Sequence, residues 1–538
     1  MKTIRNLWIS AFLILLLQAC SNGSGSASTT SGTSGAAMGA VAVSITDAPA
    51  DGMDHAWITV KDLWFSQSKQ SGPDQTGWEK FPLAAPVTLD LLDLSNGAIS
   101  VPVWDNIELP EGTYEQIRII LAATEAPLAA SATDAGLAYN NQVNLTGDAA
   151  AYPLRIPGAQ KGIRLEGTFE VKKNGKLKLA LDFDAGHDIV KIDHDGQTEY
   201  ILKPNLASFD LDNAGAITGH IDTIASANTA TARFVIKAEQ LSADGAVHVL
   251  RRATFIADPA TGRFILYPLV PGSYDIVIRG IGYRTAIIRN VPAVQGTTPT
   301  ASPTEIPPVT LTSAAAPDYP VSATIASPTG AWAKFYQTLP GANEAPYLIR
   351  IRHFGPLTGA FAGFPLSAEP IDVGVYDPAA VNLTTVVPVE GAGGFRAVAD
   401  AVLYEHSDPL PVDPQHADLI FGPLNVKAPA TARTVSGSIQ IPADKTGVLD
   451  RGVVFAVHGG MIVNALRINS EVVSGGSYTL SNLPGGTADQ PLPGAFYSIE
   501  ALGWSSIAPK VKAHAGPMPA DLRTDNAAGI DMSMTFLP

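Results

Sequence analysis

A period-two alternation of apolar and polar residues constrains this chain more than any other feature. It recurs along the whole length, for example at 114–120, 163–171, 347–352 and 371–376. Antiparallel strands with one buried face produce this alternation, because successive side chains point to opposite faces of the sheet. The 49 Gly and 41 Pro residues, with only 16% charged residues, fit short strands and tight turns better than helices. The sequence therefore predicts an all-β protein.

The length of 538 residues is sufficient for three or four domains. We expect several β-sandwich domains of the Ig-like or transthyretin-like kind, in tandem after a flexible lipidated tether. The predicted boundaries are a signal peptide over 1–19, a tether over 20–38, a β domain over 39–211, a second over 212–312, the end of a Pro-rich linker over 313–320, a third β domain over 321–430 and a fourth over 431–538.

The first twenty residues have the order of a secretory signal. Lys2 and Arg5 precede an apolar run over 7–17, and small Ala19 follows it. The apolar run is about half of the roughly 20 residues needed to span a bilayer, so it does not predict a transmembrane anchor.

The sequence Leu17-Gln18-Ala19-Cys20 resembles the lipobox of bacterial lipoproteins. That resemblance implies cleavage before Cys20 and a covalent lipid on Cys20, with acyl chains such as palmitate. Ser21, where an Asp would imply retention at the inner membrane, favours the outer membrane, facing the periplasm or the exterior. Several acyl chains anchor a protein firmly where one does not. The alternative is a plain signal peptide with an incidental cysteine.

Charge and cysteine content exclude several kinds of site. The net charge of −15 argues against nucleic acid as a partner and against electrostatic docking on anionic lipid. Cys20 is the single cysteine, so an acylated chain has no thiol left for disulfides, nucleophilic catalysis or metal binding.

Five ordered segments within 39–210 resemble a bacterial domain of unknown function, DUF4382. They read SITDAPAD, LDLLDLSNG, LPEGTYEQIRIIL, LDFDAGHDIVKI and YILKP. The resemblance implies a β fold in a secreted lipoprotein and assigns no activity or catalytic residue.

A second resemblance covers 212–312. A strand around Ile217, then Phe264 and Leu266 before a Pro271-Gly272 turn and Tyr274, is similar to the carboxypeptidase regulatory-like, or transthyretin-like, family. That family belongs to a class of sandwiches that includes starch-binding modules. The pattern returns more weakly over 431–538, with an insertion over 487–493 before the return strand. Two copies of one pattern indicate a modular array.

Acidic clusters are the first candidate site. Carboxylates from loops suit Ca²⁺, and two of them, at i and i+2 of one strand, could meet a single cation. The set is Asp182, Asp184, Asp188, Asp193 and Asp195, and a second cluster is Asp47, Asp51 and Asp54. The alternative is turn-forming Asp residues. A pair of catalytic carboxylates for glycoside hydrolysis could be drawn from the same residues.

Tryptophans are the second candidate. We expect Trp57 and Trp64 to lie in the core, and Trp78 and Trp104, beside turns, to be open to a ligand such as a sugar ring. No nucleophile elbow, zinc-protease motif or P-loop is present in the sequence, so no catalytic residue is predicted.

These observations favour a membrane-anchored, non-catalytic binding or structural module of the cell envelope, whose partners are the lipid bilayer and glycans or other envelope proteins. The alternatives are a hydrolase acting on envelope or extracellular polysaccharide, and a passive surface spacer.

Overall fold

A computed structural model describes residues 37–536 of the chain. The positions outside the description in that range are 51, 70, 126, 157–161, 195–196, 203–205, 223–233, 316–317, 340–343, 357, 382, 384–393, 417, 459–460, 493 and 506–510. The predicted signal peptide, Cys20 and nearly all of the predicted tether also lie outside the described residues. No helix in the described part is long and apolar enough to cross a membrane. The all-β prediction is confirmed, since strands dominate every part of the description.

The first unit, residues 38–210, contains twelve described strands and two short helices. The strands are β1 Met38–Asp47, β2 Met53–Ser66, β3 Glu79–Asp90, β4 Trp104–Pro110, β5 Gly112–Leu121, β6 Gln142–Leu145, β7 Ala151–Arg155, β8 Ile163–Val171, β9 Lys176–Phe183, β10 Ile189–His194, β11 Gln197–Leu202 and β12 Ala207–Asp210. The helices are α1 Ala130–Asp134 and α2 Ala185–Asp188, with a 3₁₀ turn at Leu92–Leu94.

Two sheets enclose the core of the first unit. One has the order β12-β9-β1-β4, and the other runs β10-β11-β7-β6-β2-β5-β8, with β3 added beside β2. Inward-facing side chains from both sheets, such as Val43 and Ile119, pack into one cluster. This is the two-layer solution that alternating strands require, because each sheet must bury its apolar face.

The other three units are smaller sandwiches. The strands of the second are β13 Gly215–Ile221, β14 Val235–Leu241, β15 His248–Thr254, β16 Ile256–Asp258, β17 Arg263–Leu269, β18 Gly272–Arg279, β19 Ala286–Ala293 and β20 Thr304–Val309. Those of the third are β21 Tyr319–Ile325, β22 Trp332–Gln337, β23 Tyr347–His353, β24 Ala360–Leu366, β25 Asp372–Val375, β26 Phe395–Asp400, β27 Leu410–Val412 and β28 Asp418–Phe421, with a 3₁₀ turn at Pro414–His416.

The fourth unit completes the chain. Its strands are β29 Thr431–Gln440, β30 Arg451–His458, β31 Met461–Ile468, β32 Ser477–Gly485, β33 Phe496–Trp504, β34 Lys512–Asp521, β35 Met532–Ser533 and β36 Thr535–Phe536, with a short helix α3 Ser470–Val473 and a 3₁₀ turn at Ala443–Lys445.

One strand topology underlies all four units. In each, the opening strand pairs antiparallel with a mid-unit strand and parallel with a strand near its end. The triplets, opening strand first, are β1 with β4 and β9, β13 with β17 and β20, β21 with β24 and β28, and β29 with β32 and β35. The third unit, for which the sequence suggested no family, therefore shares the connectivity of the others.

The second and fourth units also share their register. Ile217 lies opposite Leu266 in one, and Val435 lies opposite Leu480 in the other. Gly219 faces the Phe264 ring, and a Cβ on this glycine would come within 2.6 Å of that ring. Gly437, at the matching position of β29, would bring a Cβ within 2.0 Å of the carbonyl oxygen of Ile530. A close approach that no side chain fits therefore explains the glycine in both opening strands.

In three units, a tyrosine near the start of one strand donates a hydrogen bond from its hydroxyl to a backbone carbonyl in or just before the turn that precedes the strand. Tyr114 donates to the carbonyl of Pro110 (3.1 Å), and Tyr274 donates to that of Val270 (2.6 Å). In the fourth unit Tyr497 reaches back across the insertion to the carbonyl of Pro484 (2.6 Å). The insertion therefore lengthens the turn without removing its hydrogen bond.

The four units, in tandem along the sequence, are packed against one another in space. Strand β25 of the third unit joins the second unit's sheet beside β19. The third and fourth units share a single hydrophobic cluster. Ile201 of the first unit is buried among fourth-unit residues such as Phe455 and Trp504. The arrangement is closed rather than an extended row, because the last unit contacts the first.

Candidate functional site

The predicted acidic site lies where the first unit meets the second. Asp182, near the end of β9, forms an ion pair with Arg252 of β15, whose side chain is 1% exposed. The same guanidinium donates to Thr46 Oγ1 (2.8 Å) and to the carbonyl of Asp47 (3.0 Å). Burial raises the pKa of Asp182, and the charge of Arg252 opposes that shift. The Arg252 side chain therefore joins the second unit to the first by an ion pair and two hydrogen bonds.

The five predicted acidic residues have different surroundings. Asp184 follows β9 and is half-buried, and Asp188, at the end of α2, is 1% exposed. The side chains of Asp193 and Asp195 lie outside the described residues. Within the described residues, no group of three or more His, Cys, Asp or Glu side chains is placed to hold a metal ion. The Ca²⁺ site remains a prediction, and Asp182 has a protein cation as its partner.

The second acidic cluster does not assemble in the described residues. Asp47 is fully buried, and its Oδ1 accepts a hydrogen bond from the backbone N–H of Ala185 (2.9 Å), while Oδ2 has no partner. Burial raises the pKa of Asp47 well above its ordinary value. Asp54, in contrast, is exposed and accepts from Thr146 (2.7 Å). Asp51 lies outside the description.

Trp104 was predicted as a ligand-binding residue, and the structure corrects this. Its side chain belongs to the core of the first unit and is 4% exposed. The indole N–H donates to the carbonyl of Phe81 (2.9 Å). An aromatic face packed on all sides cannot stack on a surface ligand, so Trp104 is a core residue.

The prediction that Trp57 and Trp64 lie in the core was also wrong. Both are half-buried on the outer face of β2, whose inner face carries Ile58 and Leu63. Trp78 lies beside Trp64 on this outer face, with ring centroids 5.8 Å apart. The indole N–H of Trp78 donates to the carbonyl of Gly72 (2.9 Å).

The faces of these outer rings already have partners. Lys80 Nζ lies 3.8 Å from the centroid of the Trp64 ring, and the Arg118 guanidinium is 5.4 Å from that of Trp78. Cations over indole faces are attracted by the ring quadrupole. Trp78 is thus at the surface, as the ligand prediction requires, but one face of its ring contacts a side chain of the same unit.

A buried polar cluster between the second and third units was missed by the sequence analysis. Glu239 is 0% exposed, and its Oε2 accepts from the backbone N–H of Leu348 (3.0 Å). Lys237 donates to the carbonyls of Leu348 (3.0 Å) and Ile349 (2.6 Å). Burial raises the pKa of Glu239 to about 7, with Lys237 opposing the shift. Two charges in a strand otherwise apolar, FVIKAE, were the available signal.

Comparison with known proteins supports one of the two family resemblances. Residues 38–204 match the family model described as "Domain of unknown function (DUF4382)". No curated protein matches the chain. The resemblance of 212–312 and 431–538 to the carboxypeptidase regulatory-like family remains a prediction.

Solved structures give similarities at low scores. Two B repeat units of the collagen binding protein of Staphylococcus aureus are 9% identical, with 93% of this chain and 100% of that chain covered and a TM-score of 0.13. The Bacillus anthracis TIE protein is 9% identical, with 90% and 69% covered and a TM-score of 0.14. The shaft pilin SpaA from Lactobacillus rhamnosus GG is 10% identical, with 41% and 100% covered and a TM-score of 0.17. Scores of this size carry no argument about function.

Proposed function

We propose that this protein is a non-catalytic binding or structural module of the bacterial cell envelope, held at the outer membrane by acyl chains on Cys20. Its partners in this proposal are glycans or other envelope proteins. The lipobox-like sequence before Cys20 supports the anchor. The match of residues 38–204 to a family without an assigned activity is compatible with a non-catalytic role.

The observation that carries the proposal is the set of buried polar contacts between units. Arg252 bridges the first and second units. Arg279 pairs with Asp318 at 3.4 Å between the second and third units, and both side chains are under 10% exposed. Such contacts hold neighbouring units in one orientation, because breaking a buried pair leaves an uncompensated charge.

The contacts continue around the assembly. Asn482 of the fourth unit donates to Ser327 of the third (3.2 Å). Arg155 of the first unit lies 3.8 Å from Glu500 of the fourth, whose side chain is 5% exposed. A body fixed at every junction presents surfaces of constant geometry, which suits binding or scaffolding. The pairing of Asp182 with Arg252 favours binding over polysaccharide hydrolysis, because this carboxylate is not open to a substrate.

The anchor is tested with labelled palmitate and membrane fractionation. We expect the natural chain to take up label and to sediment with outer membranes, and Cys20→Ser to do neither. Ser21→Ala, which keeps the cysteine, is the control and should behave as the natural chain. Equal labelling of Cys20→Ser would contradict the lipid anchor.

The binding role is tested by identifying what co-purifies after mild membrane solubilisation and by assaying polysaccharide turnover. Recovery of a glycan or an envelope protein, without turnover, is the expected result. Turnover that is lost on Asp182→Asn, Asp184→Asn or Asp188→Asn would establish the hydrolase instead. Neither binding nor turnover would favour the passive spacer.

A further inference from the structure

A groove of about 450 Å³ opens on the first unit between the margins of its two sheets. Its walls come from β8, β9 and β12, from the connection between β8 and β9, and from the residues that follow β12. Among the described residues, β8 pairs with β5 alone and β12 pairs with β9 alone, so the sandwich has an open side here. Ligand pockets commonly have volumes of about 300–1,000 Å³. The groove is therefore large enough for a small ligand.

The floor of the groove is the margin of the hydrophobic core. Phe169 of β8 and Leu179 of β9 are under 5% exposed and belong to the core cluster, and Leu177 packs against it. All three line the groove. A ligand seated there would meet an apolar surface below.

One wall carries polar groups where the sandwich pattern calls for apolar ones. Ser208 of β12 lies opposite Leu181, and Asp210 lies opposite Leu179. Residues directly opposite across a strand pair share a face of the sheet. The hydroxyl of Ser208 and the carboxylate of Asp210 are thus on the face that elsewhere bears the core. Departures from the inside-apolar pattern are expected at functional sites.

The Asp210 carboxylate is oriented by its own neighbours. It accepts from the backbone N–H of Asp212 (3.1 Å) and from the side-chain amide of Asn213 (2.7 Å). Asn213 in turn accepts from Gln295 of the second unit (2.6 Å). The second unit therefore helps to position the wall of the groove.

Charges of both signs surround the opening, and neither sign dominates. Lys172 lies 3.6 Å from Glu170, and Lys176 lies 3.1 Å from Asp105. The groove lining contains two lysines and three carboxylates. An anionic ligand would meet the carboxylates and a cationic one the lysines, so this lining fits a neutral ligand that both donates and accepts hydrogen bonds.

We infer that this groove binds a neutral, hydroxyl-rich carbohydrate of one or a few sugar residues. Sugar hydroxyls donate to Asp210 and accept from Lys172 and Ser208, while the C–H face of the ring covers the half-buried Leu177. The inference rests on the proposed binding function and deepens it by naming a site and a ligand class. The site differs from Trp78 and Trp104.

The test uses the complete chain carrying Cys20→Ser, screened against neutral and acidic oligosaccharides and measured by titration calorimetry. Ser208→Trp fills the groove and should weaken binding of a neutral oligosaccharide by about tenfold or more. Lys172→Ala removes an exposed hydrogen-bond donor and should weaken it by about threefold. Lys173→Ala is the matched control, because Lys173 is an exposed lysine of the same β8–β9 connection but lies outside the groove lining, and this variant should bind as the parent does.

Three other outcomes overturn the inference. Binding of acidic oligosaccharides alone contradicts the neutral ligand class. Binding of neutral sugars that Ser208→Trp and Lys172→Ala both leave unchanged places the site elsewhere and leaves the proposed function standing. If no oligosaccharide binds but an envelope protein co-purifies, the groove inference fails and the binding function survives. If Ser208→Trp does not fold, Lys172→Ala against Lys173→Ala decides the question.

Discussion

Arg252 of the second unit is ion-paired with Asp182 of the first, across 70 residues of sequence. The Arg252 side chain is 1% exposed and that of Asp182 is 13% exposed. A predicted calcium ligand is therefore the acceptor of a buried guanidinium. The junction between the two units depends on this pair, because removing either partner leaves the other charge buried and uncompensated.

Replacing Arg252 should destabilise the protein strongly. We expect Arg252→Ala to lower the free energy of unfolding by about 3–5 kcal/mol, since it leaves Asp182 without its cation. Arg251→Ala is the matched control, because Arg251 is exposed, and it should cost under about 0.5 kcal/mol. Chemical denaturation measures both. Equal losses in the two variants would show that the bridge is unimportant.

Thermal unfolding of the natural chain tests the calcium prediction. With Asp182 neutralised by Arg252, we expect calcium or a chelator to leave the melting temperature unchanged. A ligand that binds only the folded chain raises the melting temperature by mass action. A rise in the melting temperature on adding calcium would therefore support a calcium site.

Glu239 should make stability depend on pH. Its folded pKa, raised by burial to about 7, lies above the ordinary value of 4.5. Its contribution is thus complete below pH 4.5 and is lost as the pH rises through about 7, with a slope of at most about 1.4 kcal/mol per pH unit. Glu239→Gln keeps an acceptor for Leu348 and should flatten this fall in thermal stability. Exposed Glu405→Gln is the control and should keep the parent profile.

The two tryptophans predicted as ligand residues should differ in their effect on stability. Trp104→Ala removes a buried ring from the core and should cost about 3–5 kcal/mol. Trp78→Ala removes a half-buried surface ring and should cost less, about 1 kcal/mol. Urea unfolding compares the two directly. A larger loss at Trp78 would mean that the outer face, not the core, holds the first unit together.

The tyrosine hydrogen bond at the turn should contribute similarly to the free energy of unfolding in the second and fourth units. Tyr274→Phe and Tyr497→Phe each delete one hydroxyl and leave the ring, so each should cost about 0.5–1.5 kcal/mol. Tyr319→Phe, at a half-buried strand position, provides a reference for hydroxyl loss elsewhere. A negligible effect at Tyr497 alone would show that the insertion has weakened this hydrogen bond.

The closed arrangement can be tested by small-angle scattering. Ile201 is 0% exposed and packs into the fourth unit. Ile201→Asp buries a charge at this contact, so we expect the first and fourth units to separate and the radius of gyration to rise. Ile420→Asp changes an isoleucine that is 79% exposed and should leave the radius unchanged. An unchanged radius for both variants would argue against the contact.

The tryptophan error has a specific local cause. Trp57 and Trp64 are seven positions apart, so a regular strand would place them on opposite faces. The pairing of β2 shifts register between Val60 and Asp62. This bulge brings both rings to the outer face. Alternation in a sequence indicates that two faces exist, but not which face is covered or where a bulge reverses them.

The third unit was recognised as β structure without its relation to the others. Its mid-unit strand β24 and the following core strand β26 are separated by β25, which pairs in the second unit's sheet. The short turn with its tyrosine that joins β17 to β18 in the second unit is therefore replaced by the longer segment that contains β25. The shared topology is visible only in the pairing of β21 with β24 and β28.

Properties that are local along the chain were predictable from its residues: the strand alternation, the turn motifs, the repeat in the second and fourth units, and the match over 38–204. Which distant residues became neighbours depended on the packing of the folded chain. This packing pairs Asp182 with Arg252, brings Glu239 within hydrogen-bond distance of the Leu348 N–H and buries Ile201 among fourth-unit residues. The physical reason is that a strand's pattern depends on its own side chains, whereas a partner across an interface depends on how whole sheets pack. That packing gave the acidic residue a structural role and left an open groove at the margin of the first sandwich.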